Sequence, residues 1–371
     1  MNRTFWIDLI RVVGALLVVA IHVCGRVAGG YAVEGVDAAT LGLAGLISQC
    51  INNASSAVAV PLFVMVSGAL LLGRSDTMGT FYRKRFGKIL LPFLAWSAIF
   101  ILCLWLAGGK LKDGTPITLV SSIGAVLSGG VSGHFWFLYM LVSLYLVAPF
   151  LSVLVRNAPK NMLTGFLVLW VIGVVIFPVV NNVVQETFGV TGIAEDFQFE
   201  LVSLWVGFFV AGYVLKDVLI PTRWAFIVLG VGLCLSIAGP VNAYLLRISP
   251  DSPSTSFLLT FLGKGIFPIV SHKVILSVVA FLVLRSLGNL PSFASVRLGR
   301  LISHIAPLTF GIYLCHHLVL TPVMGKLTLG TCNSWMLVLC AIPALTLIFF
   351  FAAAVGVYVI RRIKYLKFLA P

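Results

Sequence analysis

The chain has 371 residues, of which 60% are hydrophobic and only 10% are charged. Soluble domains are about a quarter charged, so this composition excludes a protein whose surface mostly faces water. The net charge of +14 would suit a nucleic-acid partner, but an excess of lysine and arginine also arises from membrane topology. We therefore expect a lipid bilayer as the main surroundings and no nucleic acid as a partner.

Ten apolar stretches approach the ~20 residues that cross a bilayer as a helix, so an all-α, polytopic fold is expected. The predicted spans are 5–28, 56–72, 89–107, 133–151, 162–180, 200–216, 223–240, 268–285, 305–325 and 334–360. Lysine and arginine cluster in the even-numbered loops, as in 83–88, whereas the odd-numbered loops carry acidic residues. This alternation predicts that both termini are cytoplasmic. Residues 1–371 are expected to form a single transmembrane domain without an appended soluble domain.

Two segments between the spans are less regular. Residues 41–55 predict an amphipathic helix that lies on the outer surface. Residues 241–272 include prolines and glycines, and 257–270 is consistent either with an interfacial or re-entrant piece or with part of a span. The seven cysteines are odd in number and show no CxxC pair, so neither a disulfide framework nor a metal site is expected.

The first predicted helix carries three polar side chains, Asp8, Arg11 and His22. Ionisable residues inside a span are costly, which makes them candidates for function. Asp8 and Arg11 are three residues apart and can pair, while His22 follows Arg11 by about 16 Å and close to three turns, on the same face. In a purely structural interpretation, Arg11 extends to the interface with Asp8 as its partner, and His22 caps the helix. We favour the functional interpretation.

An arginine and a histidine separated by ten residues on the first helix resemble the signature of the acyltransferase-3 family of bacterial membrane O-acyltransferases. Four further stretches are similar to that family in the same order, namely 60–72, 81–94, 133–151 and 308–320. Two positions depart from the family pattern. Its usual Arg-x-x-Arg reads Arg85-Phe-Gly-Lys88 here, so one planar guanidinium is lost, and His317 replaces a common proline.

The resemblance implies transfer of an acyl group from a cytoplasmic thioester to an extracytoplasmic acceptor. The basic residues can hold the phosphates of acyl-CoA, although a basic loop also fits topology alone; they are Arg83, Lys84, Arg85 and Lys88, with Arg11 deeper. His22 is the expected catalytic residue, with Arg11 and Asp8 beside it. Imidazole can deprotonate a hydroxyl or be acylated itself, and the sequence leaves both routes open. No bound cofactor is expected, and acetyl-CoA is the expected donor.

Aromatic and histidine side chains of two predicted helices are candidates for acceptor binding. His134, Trp136 and Tyr139 begin the fourth predicted helix on the outer side, and Tyr313 and His316 lie three residues apart in the ninth. Tryptophan and tyrosine there are equally typical of interface anchors, and a polar pair can hydrogen-bond between helices. The favoured function is O-acetylation of an extracytoplasmic or lipid-linked glycan, such as O-antigen, in the cell inner membrane. The alternative is a membrane exporter of a polysaccharide or lipid-linked intermediate.

Overall fold

The computed structural model describes residues 5–27, 42–180, 184, 204–248, 269–290, 297–324 and 334–371. Within these ranges the regular structure is helical, and no β-strand occurs. The prediction of an all-α, polytopic membrane protein is confirmed. In lipid the backbone must satisfy its own hydrogen bonds, and a helix does so within one segment.

Twelve α-helices are labelled in chain order in the described part of the chain. They are α1 Phe5–Cys24, α2 Gly42–Leu71, α3 Met78–Leu106, α4 Leu119–Ser128, α5 Trp136–Asn157, α6 Lys160–Val171, α7 Leu204–Leu215, α8 Thr222–Ile248, α9 Ile269–Leu287, α10 Arg297–Ile305, α11 Thr309–Met324 and α12 Trp335–Arg362. A π-helical turn, Ile172–Ile176, extends α6. Short 3-10 turns lie before α5, before α11 and after α12.

Eight helical segments in the described residues are long and apolar enough to cross a membrane. The other two predicted spans coincide with the shorter helix α7 and with α9. Every predicted span therefore overlaps a helix. The number of crossings and the cytoplasmic position of both termini stay predictions.

The prediction for residues 41–55 is wrong. Residues 42–55 continue directly into the predicted span 56–72, and Gly42–Leu71 is one helix of 30 residues. Ser48 is completely buried and donates to the carbonyls of Cys24 at 3.2 Å and Val27 at 2.9 Å. Ser48, a polar residue of this segment, thus bonds to backbone carbonyls inside the protein.

The segment 241–272 is only partly described. Helix α8 continues to Ile248, beyond the predicted end of its span at residue 240, and α9 begins at Ile269. Residues 249–268 lie outside the described ranges. Seven acidic residues of the predicted odd-numbered loops also lie outside them, namely Glu34, Asp37, Glu186, Glu195, Asp196, Glu200 and Asp251, whereas Asp113 is described.

Reporter fusions can test the predicted topology. We expect a reporter after Pro371 to be active on the cytoplasmic side and one inserted within 186–200 to be active on the opposite side, because lysine and arginine retain loops in the cytoplasm. The measurement is a paired phosphatase and fluorescent-protein assay at both positions. A C-terminal reporter that is active outside would reverse the side assigned to every polar residue.

The chain divides into two compact units. Unit 1 comprises Met1–Leu70, Ala158–Ala306 and Val323–Ile348, and unit 2 comprises Leu71–Asn157, Pro307–Pro322 and Phe349–Pro371. Each unit is assembled from separate stretches of the sequence.

In unit 1, α2 and α7 cross at two glycines. A Cβ atom added at Gly68 would lie 1.8 Å from the carbonyl oxygen of Phe209, and one added at Gly212 would lie 1.9 Å from that of Met65. Each glycine therefore admits the backbone of the opposite helix. Small residues allow such close approach where lipid supplies no hydrophobic force between helices.

Helices α8 and α9 of unit 1 pack side by side and antiparallel. Ala225 contacts Val279 and Val283 in a buried cluster, while a Cβ added at Gly232 would lie 3.6 Å from the Cα atom of Leu276. As residue numbers increase along α8, the residues of α9 that they contact decrease in number, so the two helices are antiparallel. This register defines which residues of the two helices lie at the same level.

In unit 2, the C-terminal segment completes the surroundings of α3. The indole of Trp96 donates to the carbonyl of Leu369 at 2.8 Å, and the bond is buried. A Cβ at Gly311 would lie 3.1 Å from the Cβ of Ala370.

Helix α4 begins with a capping box of Thr118 and Ser121, which satisfies two otherwise unpaired amides.

Candidate active site

Helix α1 carries its acidic and basic side chains at the end that the predicted topology assigns to the cytoplasm. Asp8 lies beside Arg11, and its carboxylate accepts a hydrogen bond from the Ser303 side chain of α10. Both charged residues are partly buried. An opposite charge and a hydroxyl both interact favourably with this carboxylate, whereas its burial disfavours the charge. The three groups therefore form one polar cluster in unit 1.

Apolar contacts hold this half of α1 in place. Phe5 and Leu9 form a buried cluster with Ile302, and side chains of α9 pack against it. The Arg285 guanidinium lies over the Trp6 ring at 4.9 Å and donates from Nε to the carbonyl of Lys216. Such cation–π and carbonyl contacts let a charged group stay inside a helical protein. The position of Arg11 is consequently set by two neighbouring helices.

His22 lies on the same unbroken helix as Arg11. The 11 residues between them correspond to about 16 Å along the axis and to a rotation within about 20° of three full turns. His22 is partly buried, whereas Val19 and Val23 are completely buried. The α-helix continues to Cys24, so no break in the helix separates the two side chains.

The basic residues at the start of α3 differ in their surroundings. Arg83 and Lys88 are exposed, while Arg85 is partly buried. Lys84 forms an ion pair with Asp76 at 3.1 Å, which leaves it less available to an anion. Arg85 and Lys88 lie three residues apart, on neighbouring positions of the helix surface.

In unit 2, the structure brings three predicted acceptor residues together. The Tyr313 hydroxyl donates to the backbone carbonyl of His134, and the rings of His134 and His316 lie 5.0 Å apart. Exposed fractions are 4% for His134, 5% for Tyr313 and 0% for His316. The hydroxyl of Ser132 bonds to Nδ1 of His134 at 2.8 Å. These residues come from α11 and the turn before α5, and their contacts link the two elements.

His317 belongs to the same cluster and was not predicted as a site residue. Its ring stacks on that of His134 at 4.6 Å with an interplanar angle of 7°, and it contacts the ring of His316 at 5.2 Å. A sequence signal existed, since two consecutive histidines in an apolar helix are costly without a partner. We call His134, Tyr313, His316 and His317 the histidine cluster.

The tautomer of His316 follows from its hydrogen bonds. Its Nδ1 lies 2.7 Å from the carbonyl oxygen of Tyr313 and 3.2 Å from that of Ile312. Carbonyl oxygens only accept, so Nδ1 must carry the proton. In a neutral ring the Nε2 atom is then a proton acceptor with a fixed direction.

The other two predicted acceptor residues, Trp136 and Tyr139, have different surroundings. Tyr139 donates to the carbonyl of Val126 in α4 and packs edge to face against Phe93 at 5.2 Å. The Trp136 side chain is 47% exposed. An exposed tryptophan at the end of a span matches an interface anchor, and a tyrosine committed to a backbone carbonyl matches a role in fixing α4.

Comparison with known proteins identifies the family. The model of an acyltransferase domain, that of the acyltransferase-3 family, matches residues 4–360, which is nearly the whole chain. The chain belongs to this family and is a multi-pass membrane acyltransferase. No curated protein and no solved structure matches it.

Proposed function

We propose that this protein transfers an acetyl group from cytoplasmic acetyl-CoA to a hydroxyl of an extracytoplasmic or lipid-linked glycan, such as O-antigen, in the cell inner membrane. The observation that carries the proposal is helix α1. It holds Asp8, Arg11 and His22 on one unbroken helix, inside a chain whose family is that of membrane acyltransferases. A charged pair at one end and an imidazole about 16 Å further along suit a donor with phosphates and a long arm.

In the proposed reaction, the bonds that form and break and the proton that moves can be named for each step. The acceptor oxygen attacks the thioester carbon while His22 takes the hydroxyl proton, the C–S bond breaks, and the CoA thiolate leaves and is protonated. In the alternative route, a nitrogen of His22 attacks first, and the acyl group passes from the imidazole to the acceptor. Both routes release one CoA and form one ester for each turnover. Asp8 and Arg11 support His22 by fixing the donor and the helix.

The histidine cluster supports an acceptor with hydroxyl groups. His134 and His316 are buried among aromatic rings, with Phe100 at 5.5 Å and Phe135 at 4.4 Å from the His134 ring. An imidazole nitrogen that accepts a proton and flat aromatic faces together suit a sugar, which offers hydroxyl donors on its edge and C–H groups on its face. We therefore assign the cluster to acceptor binding.

Labelled donor provides the direct test of the proposed function. Membranes that contain the protein are incubated with acetyl-CoA labelled in its acetyl group, and the glycan and lipid fractions are separated. We expect label in an ester of one of these fractions, with free CoA released in equal amount. Label that stays in the donor, while a glycan moves across the membrane, would instead favour the exporter.

Alanine at Arg85 or Lys88 is expected to raise the apparent KM for acetyl-CoA more than it lowers kcat. Contacts to phosphates far from the thioester stabilise ground state and transition state equally. One lost charge-assisted contact is worth roughly 1.5–3 kcal/mol, or about a tenfold or larger rise in KM. Lys88→Arg is expected to lower KM because it restores a planar fork.

Lys160→Ala is the matched control for these variants. Lys160 is exposed, begins α6 and lies on the same predicted side of the membrane. If removal of Lys160 raises KM as much as removal of Arg85, the effect is a general one of surface charge. If neither Arg85→Ala nor Lys88→Ala changes the donor dependence, the basic residues of α3 serve topology only.

A further inference from the structure

Three spans of unit 1 share a buried polar layer that the proposed reaction does not use. Asn53 in α2 donates to the carbonyl of Ser236 in α8 at 3.3 Å. Ser277 in α9 donates to the carbonyl of Ala57 in α2 at 2.6 Å. Ser236 and Ser277 are completely buried. These bonds tie α2 to both α8 and α9 within apolar helices.

Lys273 lies at the level of this layer. It precedes Ser277 by one turn on α9, and Asn53 precedes Ala57 by one turn on α2, on nearly the same face of each helix. The antiparallel register of α8 and α9 independently brings Ser236 level with residues 272–273, since Gly232 faces Leu276 one turn away. Both registers therefore place the backbone of Lys273 beside Asn53 and Ser236.

The charge of Lys273 needs an explanation. The side chain is partly buried, and within the described parts of the chain its ammonium has no hydrogen bond or ion pair. Beside Asn53 in sequence, the Asn52 side-chain oxygen is buried and finds no donor among the described residues. A charged residue within a predicted span is costly and is therefore a candidate for binding. The layer thus offers the Lys273 ammonium to an anion and the Asn52 side-chain oxygen to a hydroxyl donor.

We propose that Lys273, with Asn52 and Asn53, forms a subsite for an acid group of the acceptor glycan. The acid is a carboxylate or a phosphate, and a sugar hydroxyl beside it meets the Asn52 oxygen. An ammonium recognises either acid as a point charge. This assignment deepens the proposed function and rests on it, because it defines the acceptor as an acidic glycan or one linked through phosphate.

Three small probes distinguish the possible acids. Protein in nanodiscs is titrated with butyl glucoside, butyl glucuronide and butyl phosphate, and binding is followed by ligand-observed NMR. We expect wild-type protein to bind at least one acidic probe about tenfold more tightly than butyl glucoside, the effect of one charge-assisted contact. Lys273→Met and Lys273→Gln should remove this preference, and Lys273→Arg should keep it. A preference for glucuronide alone identifies an acidic sugar, and one for phosphate alone identifies the lipid-carrier linkage.

Control variants make the result interpretable. Lys112→Met removes one charge from an exposed residue after α3 and should leave all three affinities unchanged. If Lys273 binds a ligand, Lys273→Met should leave the Tm of the free protein unchanged or raise it, because a buried unpaired charge is removed. A fall in Tm without a change in probe binding would make Lys273 a structural partner of an acidic residue and overturn the subsite. Equal binding of all three probes by the wild-type protein would overturn it as well.

Binding of acetyl-CoA is measured on the same samples. If wild-type protein binds acetyl-CoA but does not discriminate between the probes, the subsite fails and the proposed function stands. If it discriminates between the probes but does not bind acetyl-CoA, the proposed donor fails while an acid-binding site remains.

Discussion

His22→Ala is expected to abolish acetyl transfer while the protein stays folded and still binds acetyl-CoA. Loss of a general base costs about 10²–10⁴ in rate, and loss of an acylated nucleophile costs nearly all activity. The side chain is only partly buried, so its removal leaves a small cavity. The measurement is kcat per unit of folded protein, with donor binding determined in parallel. Withholding the acceptor separates the routes, since only an acylated histidine leaves a trappable adduct.

His304→Ala is the matched control for His22. His304 is an exposed histidine in the same unit, and its Nδ1 bonds to the carbonyl of Arg300, so its loss should leave kcat unchanged. Arg11→Ala should instead weaken donor binding, and Arg11→Lys should restore it only partly. The smallest loss of rate expected for a general base is about 100-fold. If His22→Ala keeps more than about a tenth of wild-type activity, its loss is smaller than this and the catalytic assignment is wrong.

Gly68→Ala is expected to destabilise the protein by at least about 3 kcal/mol, at the upper end of overpacking effects. The new methyl group would lie 1.8 Å from a carbonyl oxygen of α7. This oxygen belongs to the backbone, so no rotamer change relieves the overlap and the two helices must separate. Gly212→Ala should act in the same way because it meets the carbonyl of Met65. Thermal unfolding of purified protein in detergent measures both effects.

Gly165→Ala provides a control with the opposite expected sign. Gly165 is in α6, and an added Cβ meets no atom within 4 Å. Alanine favours a helix by about 1 kcal/mol over glycine, so Tm should rise or stay constant. Equal effects at Gly68 and Gly165 would mean that α2 and α7 do not approach closely.

The sequence predicted the helices well because apolar length alone determines which segments cross lipid. It failed for α2, where Ser48 and Asn53 made residues 41–55 resemble an interfacial helix. Those side chains bond to backbone carbonyls of Val27 and Ser236. Such partners are distant in sequence, so local periodicity carries no information about them.

The sequence also predicted only part of the candidate site. His134, Tyr313 and His316 were predicted as acceptor residues on two separate helices, and the structure joins them. Trp136 and Tyr139 were grouped with them by sequence proximity, but their side chains have different surroundings. Lys273 was not predicted as a site residue, because its buried layer arises only from the packing of three helices. The catalytic role of His22 stays a prediction until its variants are measured.

The bond between Trp96 and Leu369 has a consequence for biosynthesis. The two residues are 273 positions apart, and translation at about 5–20 residues per second adds that length in roughly 14–55 s. During this interval the indole N–H of α3 has no access to its final acceptor, although an unpaired donor in lipid is costly. Unit 2 therefore completes its folding only after nearly the whole chain has been synthesised. A nascent chain paused before residue 369 should leave α3 open to chaperones or proteases of the membrane.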